Sequence, residues 1–318
     1  MDPSGGEIAV EILPFIRTYK DGRVERLLPT DIVPPTLDPT TGVTSKDVMV
    51  DRETNVSARL YLPDLASLGP SQKLPILVYF HGGGFCFGSP FWTLYHNHLN
   101  SLVAKANVVA VSVDYRLAPE NPIPAAYEDS WHALQWVVSH SEGTGPDPWL
   151  AERGNLSRVF LAGDSAGANI VHNMAMRAKA RIEGVVLVHP FFWGSERMGC
   201  EKDRDDKPLL DPVTTDLVWP FVCPGAAGSD DPRLNPMAKG APSLAGLGCA
   251  RVLLVVAERD LLRDRGRAYY EALKGSGWGG MVELFETKGE DHVFHLFESG
   301  CDKALELFQR LAGFIRRE

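Results

Sequence analysis

Five short runs of β-branched and other apolar residues punctuate this chain: "LPILVYF" (74–80), "NVVAVSV" (107–113), "SRVFLAG" (157–163), "IEGVVLV" (182–188) and "ARVLLVV" (250–256). They constrain the fold more than any other feature. A strand with one wet face alternates apolar and polar residues, whereas a nearly continuous apolar run must be covered on both faces, as in a parallel sheet. Parallel neighbours need crossovers, and segments of helix length lie between the runs. "TLYHNHLNSLVAKA" (93–106) has apolar residues at helical spacing, and "AAYEDSWHALQWVVSH" (125–140) sets Trp131, Leu134, Trp136 and Val138 on a broad face. The tail "KALELFQRLAGFIRR" aligns Leu305, Phe308, Leu311, Ala312 and Ile315. This alternation predicts an α/β fold with a doubly wound, mostly parallel sheet.

Two stretches stand outside the rhythm. The first fifty residues hold Pro14, Pro29, Pro34, Pro35 and Pro39 and one hairpin signal, "FIRTYKDGRVERL", in which Asp21-Gly22 supplies the positive φ angles of a tight turn. This part reads as an appendage, partly helical at its start. After "HPFFWG" (189–194) comes a proline- and glycine-rich segment in which "ERMGCEKDRDDKPLLDP" (196–212) mixes charges of both signs. Such a run is expected to be a solvated insertion rather than a binding patch.

The chain has 318 residues, 44% of them hydrophobic, which suits a large core in one domain with insertions or in two domains. A net charge of −9 argues against nucleic acid or anionic lipid as a partner. No window approaches a membrane span in length. Cys86, Cys200, Cys223, Cys249 and Cys301 are scattered, with no CxxC and no His/Cys cluster. Neither a disulfide framework nor a metal site is expected, and reduced thiols suit a cytoplasmic protein. The start, "MDPSGGEIAVEILPF", has no basic stretch ahead of an apolar run and does not read as a signal peptide.

The chemistry gathers at the ends of the runs. "GDSAG" (163–167) places Ser165 directly after a strand and before the helical "ANIVHNMAMRA". A nucleophile on so tight a turn sits in a strained backbone, and Gly163 and Gly167 are the small neighbours it needs. Upstream, "YFHGGGFCFG" (79–88) also leaves a strand, and its glycines let main-chain N–H groups approach an acyl oxygen. Gly83, Gly84 and Ala166 are the expected oxyanion-hole donors, while His81 is expected to brace the loop. Serine needs a base, and the base an orienting acid. His292 and His295 share a loop, "GEDHVFHLF", after the run "MVELFE". Asp260 follows the run at 250–256, where open α/β sheets build their sites, and Asp264 is the weaker choice. The chain order Ser165, Asp260, His292 is the one expected of an α/β-hydrolase. Phe85, His189, Phe191 and Phe192 are candidate substrate-pocket residues.

The stretches "DPTTGVTSKDV", "ARLYLP", "PILVYFHGGGFCFGS", "VSVDYRLAPENPIPAAYED", "FLAGDSAGANI", "RVLLVVAERDLLRDRG" and "HVFHLF" span nearly the whole length. With them the chain resembles the plant carboxylesterase family, in the hormone-sensitive-lipase-like branch of the α/β-hydrolases. The resemblance implies one α/β-hydrolase domain over 1–318, with a cap from the N-terminal segment 1–45 and the insertion 195–245. It implies a triad of Ser165, Asp260 and His292, the hole already named, and no cofactor. "DYRLAPE" is read there as structural, which keeps Arg116 and Glu120 out of the site. The implied activity is hydrolysis of small to medium carboxylic esters. The family also holds 2-hydroxyisoflavanone dehydratases, some with threonine in place of the serine, and a transesterifying or lactonising enzyme would look the same. Gibberellin receptors share the fold but resemble a version without the catalytic histidine, which His292 supplies here.

Overall fold

The apolar runs become the middle of an eight-stranded sheet. The structure is a computed structural model that describes residues 6–28, 31–66, 69, 72–140, 144–178, 182–202 and 209–317. The N-terminal segment forms β1 (Ile8–Ile12), β2 (Ile16–Tyr19) and β3 (Val24–Arg26), an antiparallel sheet of its own. Then come β4 (Thr44–Asp51), β5 (Val56–Leu62), β6 (Leu74–Phe80), α1 (Thr93–Ala106), β7 (Val109–Asp114), α2 (Ala125–Val138) and α3 (Pro148–Arg153). The second half runs β8 (Gly154–Asp164), α4 (Ala166–Arg177), β9 (Ile182–Val188), α5 (Pro212–Val222), β10 (Cys249–Ala257), α6 (Arg263–Gly275), β11 (Met281–Thr287), α7 (Phe294–Phe297) and α8 (Asp302–Arg316).

The large sheet has the order β11-β10-β9-β8-β6-β7-β5-β4. All its pairs are parallel except β5 with β7 and β4 with β5. Alternate residues of the same strand enter different cores. Ile76, Val78, Phe80, Val159 and Leu161 pack with α2, α4 and α6 residues, whereas Leu77, Tyr79, Phe160 and Ala162 pack with α1 and α8. Each buried aliphatic side chain contributes about 1.5–3 kcal/mol, so covering both faces is what the unbroken runs are for.

Several local expectations change. Among the described residues the N-terminal appendage is not helical at its start, because Ile8–Ile12 pairs with β2 instead. The Asp21-Gly22 hairpin forms between β2 and β3, with Gly22 at φ 89°. On α8, Leu305 is 38% exposed, and Ala304, Leu307 and Phe314 join Phe308, Leu311, Ala312 and Ile315 in the core. On α2 the buried face is Ala126, Tyr127, Ser130, Ala133, Leu134 and Val137, with Trp131, Trp136 and Val138 half-buried beside it. The mixed-charge run is not wholly solvated: Glu201 is buried and its carboxylate takes two hydrogen bonds from the buried Arg265 guanidinium, at 2.6 and 2.9 Å. Positions 203–208 of that run lie outside the described residues.

Candidate active site

Ser165 stands between β8 and α4 with φ 53° and ψ −118°, a conformation that an L-residue holds only where its surroundings over-determine it. The surroundings do. Its N–H donates to the Val188 carbonyl at 2.9 Å, and its carbonyl accepts from Phe191 and Asn169 at 3.0 and 3.1 Å. A Cβ on Gly163 would come within 2.5 Å of the Gly167 backbone, and one on Gly167 would overlap the Phe80 carbonyl oxygen. Both glycines are therefore required by close backbone approach.

His292, in the loop between β11 and α7, closes on this serine. Its Nε2 lies 2.9 Å from Ser165 Oγ and its Nδ1 2.8 Å from Asp260 Oδ2. With the imidazole neutral, Nδ1–H donates to the carboxylate and Nε2 accepts the serine proton. Asp260 Oδ1 accepts the Leu262 N–H at 2.9 Å, so the acid is fixed at both oxygens. Burial disfavours both charged forms, but each partner outweighs it for the other. The imidazole beside it holds the Asp260 carboxyl below its ordinary range, and Asp260 holds His292 above its own.

The oxyanion candidates lie against the same space. Gly83 and Gly84 have φ +99° and +55°, and with Ser165 and His292 they line a cavity of about 480 Å³. Among the described residues no hydrogen bond uses the N–H groups of Gly83, Gly84 or Ala166. His81 is buried, stacked on Tyr115 at 4.2 Å, with Nδ1 2.8 Å from the Gly82 carbonyl. Burial lowers it to about 4, which suits a brace rather than a base.

The weaker candidates lie apart from this chain of hydrogen bonds, and some pocket candidates depart from expectation. His295 is fully buried among His98, His189 and Phe294, and neither of its ring nitrogens meets Ser165. Asp264 accepts from Arg263 and from the Cys200 N–H, away from the imidazole. Of the four candidate pocket residues, Phe191 lines the cavity. Phe85, His189 and Phe192 do not: Phe85 packs behind it on Tyr127 and Trp219, and Phe192 on His172 and Tyr269. His189 instead accepts the Val293 N–H at 2.9 Å and so supports the loop that carries His292. His189, Asp260 and His292 offer three ligand atoms within 4.8 Å of one another. Both nitrogens of His292 are already committed to Ser165 and Asp260, so the donor set reads as a proton path rather than a cation site.

The sequence reasoning missed Asp164. Its buried carboxylate accepts from the Tyr79 hydroxyl at 2.7 Å and the Tyr95 hydroxyl at 2.9 Å. Tyr95 Oη in turn accepts the Gly82 N–H at 2.8 Å, tying the serine turn to the glycine loop. Burial pushes this carboxyl up to about 6 despite the two hydroxyl donors. The rest of the wall is mostly apolar, with Ile12, Phe15 and Leu28 from the N-terminal segment and Leu209, Leu210 and Val218 from the insertion, and Asp31, Thr93, Thr214 and Thr215 as its polar members.

The comparisons agree with this fold. The family described as alpha/beta hydrolase fold matches residues 77–296. The chain is 48% identical to probable carboxylesterase 2 of Arabidopsis thaliana, over 100% of this chain and 99% of that protein. It is 47% identical to the 2-hydroxyisoflavanone dehydratase of Glycyrrhiza echinata, over 97% and 96% of the two chains. Among solved structures, the thermostable carboxylesterase EstE1 superposes with a TM-score of 0.72 at 27% identity, covering 91% of this chain and 90% of that one.

Proposed function

The chain belongs to the α/β-hydrolases, among the plant carboxylesterase-like enzymes, and from that premise we propose that it hydrolyses small to medium carboxylic esters through an acyl-enzyme on Ser165. The observation that carries this is the pair of short hydrogen bonds joining Ser165 to His292 and His292 to Asp260. Ser165 Oγ attacks the acyl carbonyl while His292 Nε2 takes its proton. The N–H groups of Gly83, Gly84 and Ala166 receive the negative oxygen. The imidazolium, stabilised by Asp260, then protonates the departing alcohol, and water releases the acid by the same steps in reverse.

The apolar cavity supports an uncharged, largely apolar ester, and about 480 Å³ is room for a ligand of drug-like size. Segments 1–45 and 195–245 both contribute to that wall, which supports reading them as a cap over the site. Among the described residues no helix is long and apolar enough to cross a membrane. None of the five cysteines is in a disulfide, which fits a reducing compartment such as the cytoplasm.

The direct test is turnover of p-nitrophenyl acyl esters, with a fluorophosphonate labelling Ser165 once per chain. Absence of both would overturn the proposal. His295→Phe is expected to retain activity within about tenfold, since a buried ring replaces a buried ring at a site with no bond to Ser165. Loss of all turnover in His295→Phe, with His292→Phe still active, would mean that the wrong histidine has been assigned. The dehydratase relative favours one second reading, in which His292 removes a carbon-bound proton and water leaves. Assaying 2-hydroxyisoflavanone beside the ester panel separates the two.

A further inference from the structure

Arg26, at the end of β3, lies far from Ser165 in sequence and outside the motifs of the site. Its Nε donates to the Cys86 carbonyl at 2.8 Å, and its Nη2 to the Ala118 carbonyl at 3.2 Å. The same guanidinium grips Glu120 with bonds of 2.9 and 2.8 Å, which hold that carboxylate below its ordinary range. Phe15, in the turn between β1 and β2, stacks on Phe87 at 5.0 Å with the rings 7° from parallel. The N-terminal segment therefore takes hold of the glycine loop at two adjacent residues, Cys86 and Phe87.

Peptide planarity carries this grip to the reacting oxygen. The Cys86 carbonyl and the Phe87 N–H belong to one rigid peptide unit, so a donor fixing the first aims the second. The Phe87 N–H donates to the Gly83 carbonyl at 3.0 Å, as does the Cys86 N–H. That carbonyl shares its own peptide unit with the Gly84 N–H, which points the opposite way. Gly83 and Gly84 hold positive φ and have no side chain to resist rotation of that plane, so its direction depends on these hydrogen bonds. Two peptide planes thus stand between the Arg26 guanidinium and an oxyanion donor.

We infer that Arg26 is a positioning residue for the oxyanion hole, acting through the Cys86–Phe87 and Gly83–Gly84 peptide planes, so that the N-terminal sheet sets transition-state stabilisation as well as roofing the cavity. Glu120 and the Ala118 carbonyl hold the guanidinium in place. This gives the "RLAPE" stretch a part in the relay that its sequence does not disclose. Ile12, Phe15 and Leu28 touch the cavity from the same N-terminal segment, so a ligand pressing on the roof bears on the support of the hole.

The inference rests on the esterase reading, and the test separates the two. Arg26→Met keeps the apolar stem and removes the donors. Per serine titrated by fluorophosphonate, kcat is expected to fall about 10- to 100-fold, as for a hole displaced rather than deleted, with KM within about threefold. Affinity for a trifluoromethyl ketone, whose adduct places an oxyanion in the hole, should fall by the same factor. Arg26→Lys should recover part of both, because an ammonium still reaches the Cys86 carbonyl. An unchanged kcat per titrated serine, or a fall in kcat without loss of ketone affinity, overturns the inference and leaves a purely structural clamp. If Arg26→Met does not fold, Glu120→Gln gives the answer: it loosens the guanidinium but spares both carbonyl bonds. A smaller loss of ketone affinity there supports the relay, and none overturns it. Wild-type protein that neither turns over esters nor binds the ketone removes the esterase reading, and this inference with it.

Discussion

Replacing Ser165 or His292 by alanine lowers kcat by about 10⁵-fold or more, and Asp260→Asn lowers it about 10⁴-fold, with KM little changed in each. The three act as a unit, so the double variant Ser165→Ala/His292→Ala is expected to be no worse than either single one. Ser165→Ala removes the nucleophile and leaves whatever the glycine loop does for direct attack by water. His292→Ala leaves a hydroxyl with no acceptor for its proton. Asp260→Asn is the most informative of the three, because the serine and imidazole remain. Its amide can donate to His292 Nδ1, which would turn the imidazole to the tautomer that carries its proton on Nε2, facing Ser165. The pH profile gives an independent reading. His292 must be neutral to accept the serine proton, and Asp260 holds its proton affinity above the ordinary range, so the acid limb of kcat/KM should lie above pH 6.5. With the carboxylate gone, the residual activity should show that limb displaced downward. Steady-state assays normalised to titrated serines, at closely spaced pH values, decide it. Residual activity in Ser165→Ala within tenfold of wild type would sink the triad.

The parts of the site that could be read in advance are those that announce themselves where a strand ends. An apolar run stopping at "GDSAG" or at "AERD" marks a place where the chain leaves the sheet, and β8 and β10 do end beside Ser165 and Asp260. The anchors were not legible, because they depend on partners brought in by other elements. Asp164 reads in sequence only as the residue between Gly163 and Ser165, and only the arrival of Tyr79 from β6 and Tyr95 from α1 makes it a tie between two loops. Arg26 is one arginine in a hairpin until the glycine loop is placed beneath it. Phe85 and His189 fail as lining residues for a local reason. Phe85 and His189 have φ of 62° and 47°, and such a backbone sends the side chain away from the direction that a simple strand extension suggests. The β4–β5 hairpin escaped because β4, with one side open, lacks the unbroken apolar run that marks the interior strands.

Buried imidazoles dictate how this protein meets acid. His81 and His189 are lowered to about 4 and His98 and His172 to about 3, each by burial, and His295 lies well below its ordinary value. An unfolded chain protonates all five near pH 6.5, so below that value the unfolded state binds more protons and stability falls as pH falls. At pH 5 each of the first four contributes a loss of about 2 kcal/mol, about 8 kcal/mol together, and His295 adds to that loss. Asp114 and Asp164, both raised to about 6 by burial, work in the other direction. They take up protons in the folded state first and return about 3 kcal/mol at the same pH. His292, raised by Asp260, adds to that return. The net loss is comparable with the whole stability of an ordinary domain, about 5–15 kcal/mol. Cooperative unfolding at 25 °C is therefore expected as pH drops from 6.5 towards 4.5, above the range where the surface carboxylates titrate. Far-ultraviolet circular dichroism and urea unfolding across that window measure it. His98→Phe, which puts a ring of similar size against Tyr79, His295 and Phe308, should flatten the slope by about one proton. Stability that stays level from pH 7 to 4.5 would mean that these rings find protons or partners in the folded state that their packing denies them.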